Sequence, residues 1–498
     1  MPNPKTAHPW WRRPQKRLLV VGACVVAVLI IFHFWLHITN PYAGWSIVQQ
    51  PYTTSVNAGK INAHKQFSLH VYSSPPAELL GYYKSGFLIV QNTFFGSRPS
   101  HSTSVDGIIQ DIHRLRFDPS KPYLISGDQF SVLYPRNLGV FYNDILNPHT
   151  AHDKQDWENR QRIYLQSALY ALDAFSAEKR LTTTIVPIAP HSVVLTEVHP
   201  GSVPSDSLYG ILYALDALQD APTHSDDTYK LETVDAARTI IRDRRADLQL
   251  LLGRYLSQVQ DPSTGLVKSG VHLASARDGV VRDRSFYDNV VLWKTLQLAD
   301  KLDIQKAPDG QLEKMHDTIL DLYWDDREGH FKDDMSTRTA NANYSSDWLL
   351  ALPTGFLRAD NPADREYLKR SIDFIRAQHI ADPFPIKYQA ATDAQQAPWA
   401  VRTFVPNYGS DAIWSYWGAQ YMTLLGQLAH DVPGAGYQQE LQRDIEIYSD
   451  KIRTYRGFPE TFTPDGRFLQ TLVYKSIRQT GWVVQFESAR QQEVDLTK

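Results

Sequence analysis

From about residue 153 to the C-terminus, apolar side chains recur at helical spacing in one segment after another, and little besides a helical body can satisfy that pattern. Trp157, Tyr164, Leu165, Leu169 and Leu172 mark one face of the first segment, 154–178. Comparable amphipathic stretches lie at 205–219, 229–260, 286–303, 309–323, 362–379, 408–430 and 436–455, with shorter ones near 137–147, 343–352 and 481–490. Pro and Gly stand at the joints, as in Pro262/Gly265, Pro353/Gly355 and Gly457/Pro459. No fixed-period repeat is present, which disfavours a solenoid. The 408–430 segment is apolar nearly all round (Ile413, Trp414, Tyr416, Trp417, Tyr421, Met422, Leu424), as a helix on the inside of a closed ring must be. The expectation is an all-α toroid over 126–498. Segments 179–204, 261–285, 380–407 and 456–480 are predicted as long loops able to carry a site.

The first forty residues are different. Met1 to Arg17 holds Lys5, Arg12, Arg13, Lys16 and Arg17 with no acidic side chain, and Leu18 to Ile38 is nearly unbroken apolar sequence. At a rise of about 1.5 Å per residue such a run spans about 30 Å, the hydrocarbon thickness of a bilayer. The basic flank predicts a cytoplasmic N-terminus, with the body on the other side. A cleaved leader would have a shorter apolar core and a small-residue exit. The division expected is a basic tail at 1–17, a single-pass membrane anchor at 18–38, a small mixed segment at 39–125 that packs on the toroid, and the toroid. Within the mixed segment, Phe67–Tyr72 and Gly86–Val90 are short apolar runs that period alone does not assign to strand or helix.

Composition narrows the partners. The formal charge is −3, which gives no basic surface for nucleic acid. The lone cysteine, Cys24, sits in the apolar N-terminal run, so the body has neither a disulfide nor a cysteine-based zinc site. The 12 Trp, 26 Tyr and 20 Phe suit a site that stacks flat rings, although a large core buries aromatics too. There is no phosphate loop, no His-Glu-x-x-His and no nucleophile elbow. No metal or cofactor is expected: Asp325-Asp326 and Asp333-Asp334 read as solvated loops.

Two carboxylates stand out at loop–helix junctions beside aromatic residues. Asp288 lies in Arg282-Asp283-Arg284-Ser285-Phe286-Tyr287-Asp288-Asn289, at the head of the 286–303 helix. Ser285-x-x-Asp288 is equally a capping box, and a helix N-terminus favours the ionised form, which burial would have to override if Asp288 is to hold a proton. Asp283 is the neighbouring alternative. Glu460 lies in Gly457-Phe458-Pro459-Glu460-Thr461-Phe462-Thr463-Pro464-Asp465-Gly466, on a rigid non-helical segment suited to orienting a water. An exposed hairpin carboxylate is the other reading. Glu487, inside the last helix, reads as a surface group.

At these residues the chain resembles the six-hairpin glycosidases, the clan of glucoamylases, trehalases and the processing glucosidases of glycoside hydrolase family 63. Ser285-Phe286-Tyr287-Asp288-Asn289 looks like that family's acid stretch, with Phe286 where the family has Gly. Glu460, Phe462, Pro464 and Gly466 match its base stretch, followed by Thr480-Gly481-Trp482 at the last helix. The resemblance implies an (α/α)6 fold and inverting hydrolysis of an oligosaccharide, with Asp288 as acid and Glu460 as base, two carboxyl groups about 6.5–9.5 Å apart with a water between. It further implies sugar contacts in Gly127-Asp128-Gln129-Phe130 and Tyr134-Pro135-Arg136-Asn137, through Asp128, Arg136 and Asn137. Pro406–Asp411 with Trp414 resembles a pocket-lining segment with an aromatic platform, and Trp399 and Arg402 before it read as rim contacts. Trp417 reads as core, and Tyr323–Phe331, with its Trp324-Asp325 pair, as a structural turn. Two rivals stand beside hydrolysis: a silent toroid that binds envelope glycan, and a phosphorolytic or lyase toroid.

Overall fold

The structure, a computed structural model, describes residues 14–38, 67, 69–96, 98–127, 131–189, 191–221, 228–277, 280–336, 343–390, 397 and 399–497. Its helices are α1 (Pro14–Ile38), α2 (Pro75–Phe95), α3 (Val105–Arg116), α4 (Arg136–Gly139), α5 (Lys154–Glu178), α6 (Ser207–Gln219), α7 (Thr228–Asp243), α8 (Arg245–Val259), α9 (Phe286–Lys301), α10 (Gln311–Tyr323), α11 (Pro362–Ala377), α12 (Trp399–Phe404), α13 (Ser415–Asp431), α14 (Tyr437–Tyr455) and α15 (Val483–Thr497), with a 3-10 turn at Ser346–Ala351. Local chemistry sets many of the ends. Asp153 caps α5 through the Asp156 N–H at 2.8 Å, and Asn361 caps α11 ahead of Pro362.

Among the described residues, the elements pair as outer and inner layers. The inner segments are 136–150, α6, α9, Ser346–Ala351, α13 and α15. Each touches the next, and α15 touches the Pro148–Thr150 turn of the first, which closes the ring. Helices α3, α5, α7 with α8, α10, α11 and α14 lie outside them in chain order, and α14 meets α3 across the same seam. Burial follows the layering in α13 and α14, although α5 in the outer layer is also buried continuously from Ile163 to Phe175. From Ser415 to Gly426 every residue of α13 is buried, whereas α14 buries one stripe (Tyr437, Leu441, Asp444, Tyr448, Ser449, Ile452). The body is mostly helical.

Several expectations need correction. The 179–204 segment is not a loop: β2 (Thr184–Ala189) and β3 (Ser192–Thr196) form an antiparallel hairpin, with β1 (His70–Tyr72) parallel to β3. The β-branched runs Thr-Ile-Val and Ser-Val-Val suit a pleated, buried surface. Gly86–Val90 belongs to α2. The long helix expected at 229–260 breaks at Arg244, whose φ/ψ of −105°/16° leaves the helical range. The Arg244 guanidinium reaches Asp173 on α5 at 2.7 Å and Asp247 at 2.6 Å. Asp333 and Asp334, expected in solvent, are 2% and 1% exposed, because buried arginines pair with Asp333. Glu487 is also buried, at 9% exposure.

Helix α1 covers the apolar run, and its side chains are described over 19–31, all exposed. Among the described residues no helix is long and apolar enough to cross a membrane. Of the anchor expected over 18–38, the side chains outside 19–31 are not described.

Candidate active site

The N-terminal ends of α4, α13 and α15 meet around one cleft lined by Ser126, Tyr134, Arg136, Asn137, Phe141, Ala276, Tyr408, Trp414, Glu460 and Trp482. Its cavity volume is about 40 Å³, well below the roughly 300–1,000 Å³ of sites that enclose a drug-sized ligand, so the cleft is narrow. One wall is aromatic: the Trp414 and Trp482 rings stack at 6.1 Å and 18°, and Phe141 stacks on Trp482 at 4.6 Å and 19°.

Glu460 is placed by short backbone pairings. Ile413–Trp414 runs antiparallel to Thr461–Phe462, and the Ser415 N–H donates to the Glu460 carbonyl at 3.0 Å. The side chain is 2% exposed. Tyr408 donates its hydroxyl to Oε1 at 3.2 Å, Tyr474 donates to Oε2 at 3.0 Å, and the Ile477 N–H reaches Oε2 at 3.4 Å. Burial pushes the Glu460 carboxyl up to about 7, against the opposing pull of these three donors. A group poised there can take or give a proton near neutral pH.

Arg136 and Asn137 line the same cleft. Arg136 donates Nη1 to the Ser275 carbonyl at 2.7 Å, and Asn137 donates Nδ2 to Ser126 Oγ at 2.8 Å. Their approach to the ring depends on Gly210 in α6, where a Cβ would lie 3.0 Å from Arg136 Cα and closer still to the Pro135 carbonyl.

Asp288 is not among the residues lining this cleft. It is 1% exposed at the head of α9, where Ser285 Oγ accepts from the Asp288 N–H at 3.0 Å and donates back to its carboxylate. Burial raises its pKa, outweighing the nearby Arg282 charge and the serine hydroxyls; here desolvation overrides the pull of the helix terminus. Around it lies a buried charge network. Arg282 contacts Asp333 at 2.9 Å, Asp347 at 2.7 Å and Ser275 Oγ at 2.6 Å. Arg277 meets Asp333 at 3.0 Å, and Tyr388 donates to Asp347 at 3.1 Å. Ser275 thus joins the network to Arg136 on the cleft wall. The Tyr287 hydroxyl donates to Asp206, the N-cap residue of α6, at 3.0 Å.

The structure therefore brings together Glu460, Arg136, Asn137 and Trp414 from the residues read in the sequence. Asp283 is part-exposed and braces a turn, accepting from Ser269 Oγ at 2.8 Å and the Gly270 N–H at 3.2 Å. Arg402 is exposed on α12 and does not line the cleft. Trp399 begins α12, with its side chain outside the described residues, as is the whole of Asp128. Trp417 is fully buried core. Trp324–Asp325 pairs with His330–Phe331 in a hairpin. Sequence reasoning missed Tyr474 as a donor to Glu460. It sits in a stretch with no periodic signal, and only the fold carries it to the carboxylate.

No protein-family model and no curated protein matches the chain. Among solved structures, it is similar to a Hormoconis resinae glucoamylase at 11% identity, over 83% of this chain and 73% of that one, with a TM-score of 0.48. It is also similar to the neutral trehalase of Saccharomyces cerevisiae (11% identity, 76% and 74% covered, TM-score 0.41) and to a cellobiose 2-epimerase from Bacillus thermoamylovorans (10%, 73% and 87%, 0.42).

Proposed function

We propose that this chain is an inverting glycoside hydrolase whose substrate is an oligosaccharide or glycan, held to a membrane by its N-terminal apolar run with the body outside. The observation that carries the reading is Glu460, a sealed carboxyl brought to about 7 at the edge of an aromatic cleft that also holds Arg136 and Asn137. Sugar rings present flat C–H faces to Trp414 and Trp482 and hydroxyls to Arg136 and Asn137, which supply donors and an acceptor. Ionised Glu460 takes a proton from water as that water attacks the anomeric carbon. Protonation of the departing oxygen is assigned to Asp288, whose burial favours the protonated form; two carboxyls with separated roles are the general device for this reaction.

One observation favours a second reading, a toroid that binds glycan without turnover: Asp288 bonds its own helix cap and does not line the cleft. Aryl-glycosides and natural disaccharides assayed with the wild type, Glu460→Gln and Asp288→Asn separate the two. Hydrolysis with both carboxylates requires turnover to fall in both variants by at least about a hundredfold, the usual scale of acid–base assistance, while binding persists. Unchanged turnover in Asp288→Asn removes Asp288 as acid. Binding with no turnover in the wild type establishes the second reading. Anomer-resolved NMR of the first product tests inversion, and phosphate dependence would reveal a phosphorylase.

A further inference from the structure

Away from this cleft, at the seam where the ring closes, three side chains from distant parts of the chain converge. His113 comes from the last turn of α3, His152 from the turn before α5, and Glu487 from α15. One ligand atom from each lies within 4.8 Å of the others. His113 Nε2 stands 2.9 Å from Glu487 Oε2, and His152 Nε2 stands 3.5 Å from Glu487 Oε1. Metal–ligand bonds of about 2.0–2.2 Å in a tetrahedron place the ligand atoms roughly 3.3 Å apart; the two histidine contacts, each to a different oxygen of Glu487, lie near that length.

We propose that His113, His152 and Glu487 form a binding site for a divalent metal of the zinc type, one that clasps the first and last hairpins of the ring. His113 Nε2 and Glu487 Oε2 are both buried. They lie 2.9 Å apart, and neither atom has a well-aligned hydrogen bond. On the other edge of the His113 ring, Nδ1 lies 3.3 Å from Asp156 Oδ2 and 3.0 Å from Arg160 Nη2. Arg160 can only donate, so in the neutral ring Nδ1 accepts and Nε2 carries the proton; metal binding through Nε2 requires that proton to leave and Nδ1–H to turn to Asp156, the carboxylate behind the ring. Asp156 is itself held by Arg160 at 2.9 Å. The carboxyls of Glu487, Asp156 and Asp153 stand near the cluster with the cations Arg160 and Arg114. His152 is 23% exposed at an open cleft bordered by Gln110, Asp153 and Asn159, which gives the ion an entry path and leaves a fourth position to water. Sequence reasoning found no metal signature because the three ligands are 39 and 335 residues apart along the chain and share no motif.

The full chain in detergent, stripped with chelator and dialysed, is titrated with cobalt(II) and then with zinc. The expected result is one equivalent of cobalt bound with the intense visible absorption of a low-symmetry, near-tetrahedral site, its displacement by one equivalent of zinc, and a zinc-dependent rise in thermal midpoint. His152→Ala, at the exposed ligand, should fold normally, weaken zinc at least about tenfold and abolish the cobalt band. Asp156→Asn should weaken zinc by about 10–100-fold. A wild type that takes up no stoichiometric cobalt or zinc, or a His152→Ala variant with unchanged affinity and spectrum, overturns the proposal and leaves a buried histidine–carboxylate ion pair. None of these readouts depends on glycoside turnover.

Discussion

Glu460→Gln tests the electrostatics of the cleft without altering its shape. In the fold the carboxyl titrates at about 7, against an ordinary 4.5. At about 1.36 kcal/mol per pH unit of displacement, ionising it in place costs about 3 kcal/mol. The raised pKa fixes the sign. Below about pH 4.5 the carboxyl is protonated in both the folded and the unfolded chain, and its contribution is fully present. Between about 4.5 and 7 the unfolded chain ionises while the folded one keeps its proton, so stability falls as pH rises. Above about 7 the loss is complete. The wild type should therefore lose about 3 kcal/mol between pH 4.5 and pH 8 that the glutamine variant retains, whatever offset the substitution adds at all pH values. Thermal midpoints of both proteins across that range give the difference curve, and the carboxylate stretch in wild-type-minus-variant infrared spectra gives the titration directly. A midpoint near 4.5, or parallel stability curves, would refute the claim that burial outweighs the three donors.

Three further outcomes follow from the same geometry. Tyr474→Phe removes a hydroxyl that stabilises ionised Glu460, so the infrared titration of Glu460 should move upward and any activity limb that depends on ionised Glu460 should move with it. Arg282→Met leaves Asp333 and Asp347 buried with one cationic partner fewer. Breaking such a pair from one side costs about 3–5 kcal/mol, readable as a lower thermal midpoint at neutral pH. Gly210→Ala forces a methyl group against the Pro135 carbonyl and Arg136 Cα. It should cost about 1–3 kcal/mol and weaken sugar binding by displacing Arg136 and Asn137, which calorimetry with the preferred sugar would register.

How far the site was legible in the sequence depended on how local its parts are. Glu460 stands out because Gly457, Pro459 and the Pro464-Asp465-Gly466 turn put it on a rigid non-helical piece. Arg136, Asn137 and Trp414 stand out only through the resemblance of their segments to sugar-binding and pocket-lining ones. Asp288 was found as a helix-head carboxylate, but whether a helix head faces a cleft or sits behind its wall depends on the segments packed over it. Asp288 is tied to the cleft-lining Arg136 only indirectly, through Ser275 and the charge of Arg282.

By itself, the sequence determined a helical body: apolar spacing of 3.6 residues and joints of Gly and Pro are properties of neighbours in the chain, and they require no partner to be read. It also marked 408–430 as apolar nearly all round, although the helix there begins only at Ser415 and is buried continuously from Ser415 to Gly426. Only the tertiary structure decided that 179–204 is a hairpin paired with β1, that Asp333 is sealed between two arginines, and that Tyr474 reaches Glu460 while His113, His152 and Glu487 meet. Each of these joins residues whose contact depends on how the ring closes. Desolvation, which sets the protonation of Glu460 and Asp288, exists only once the surrounding segments have packed.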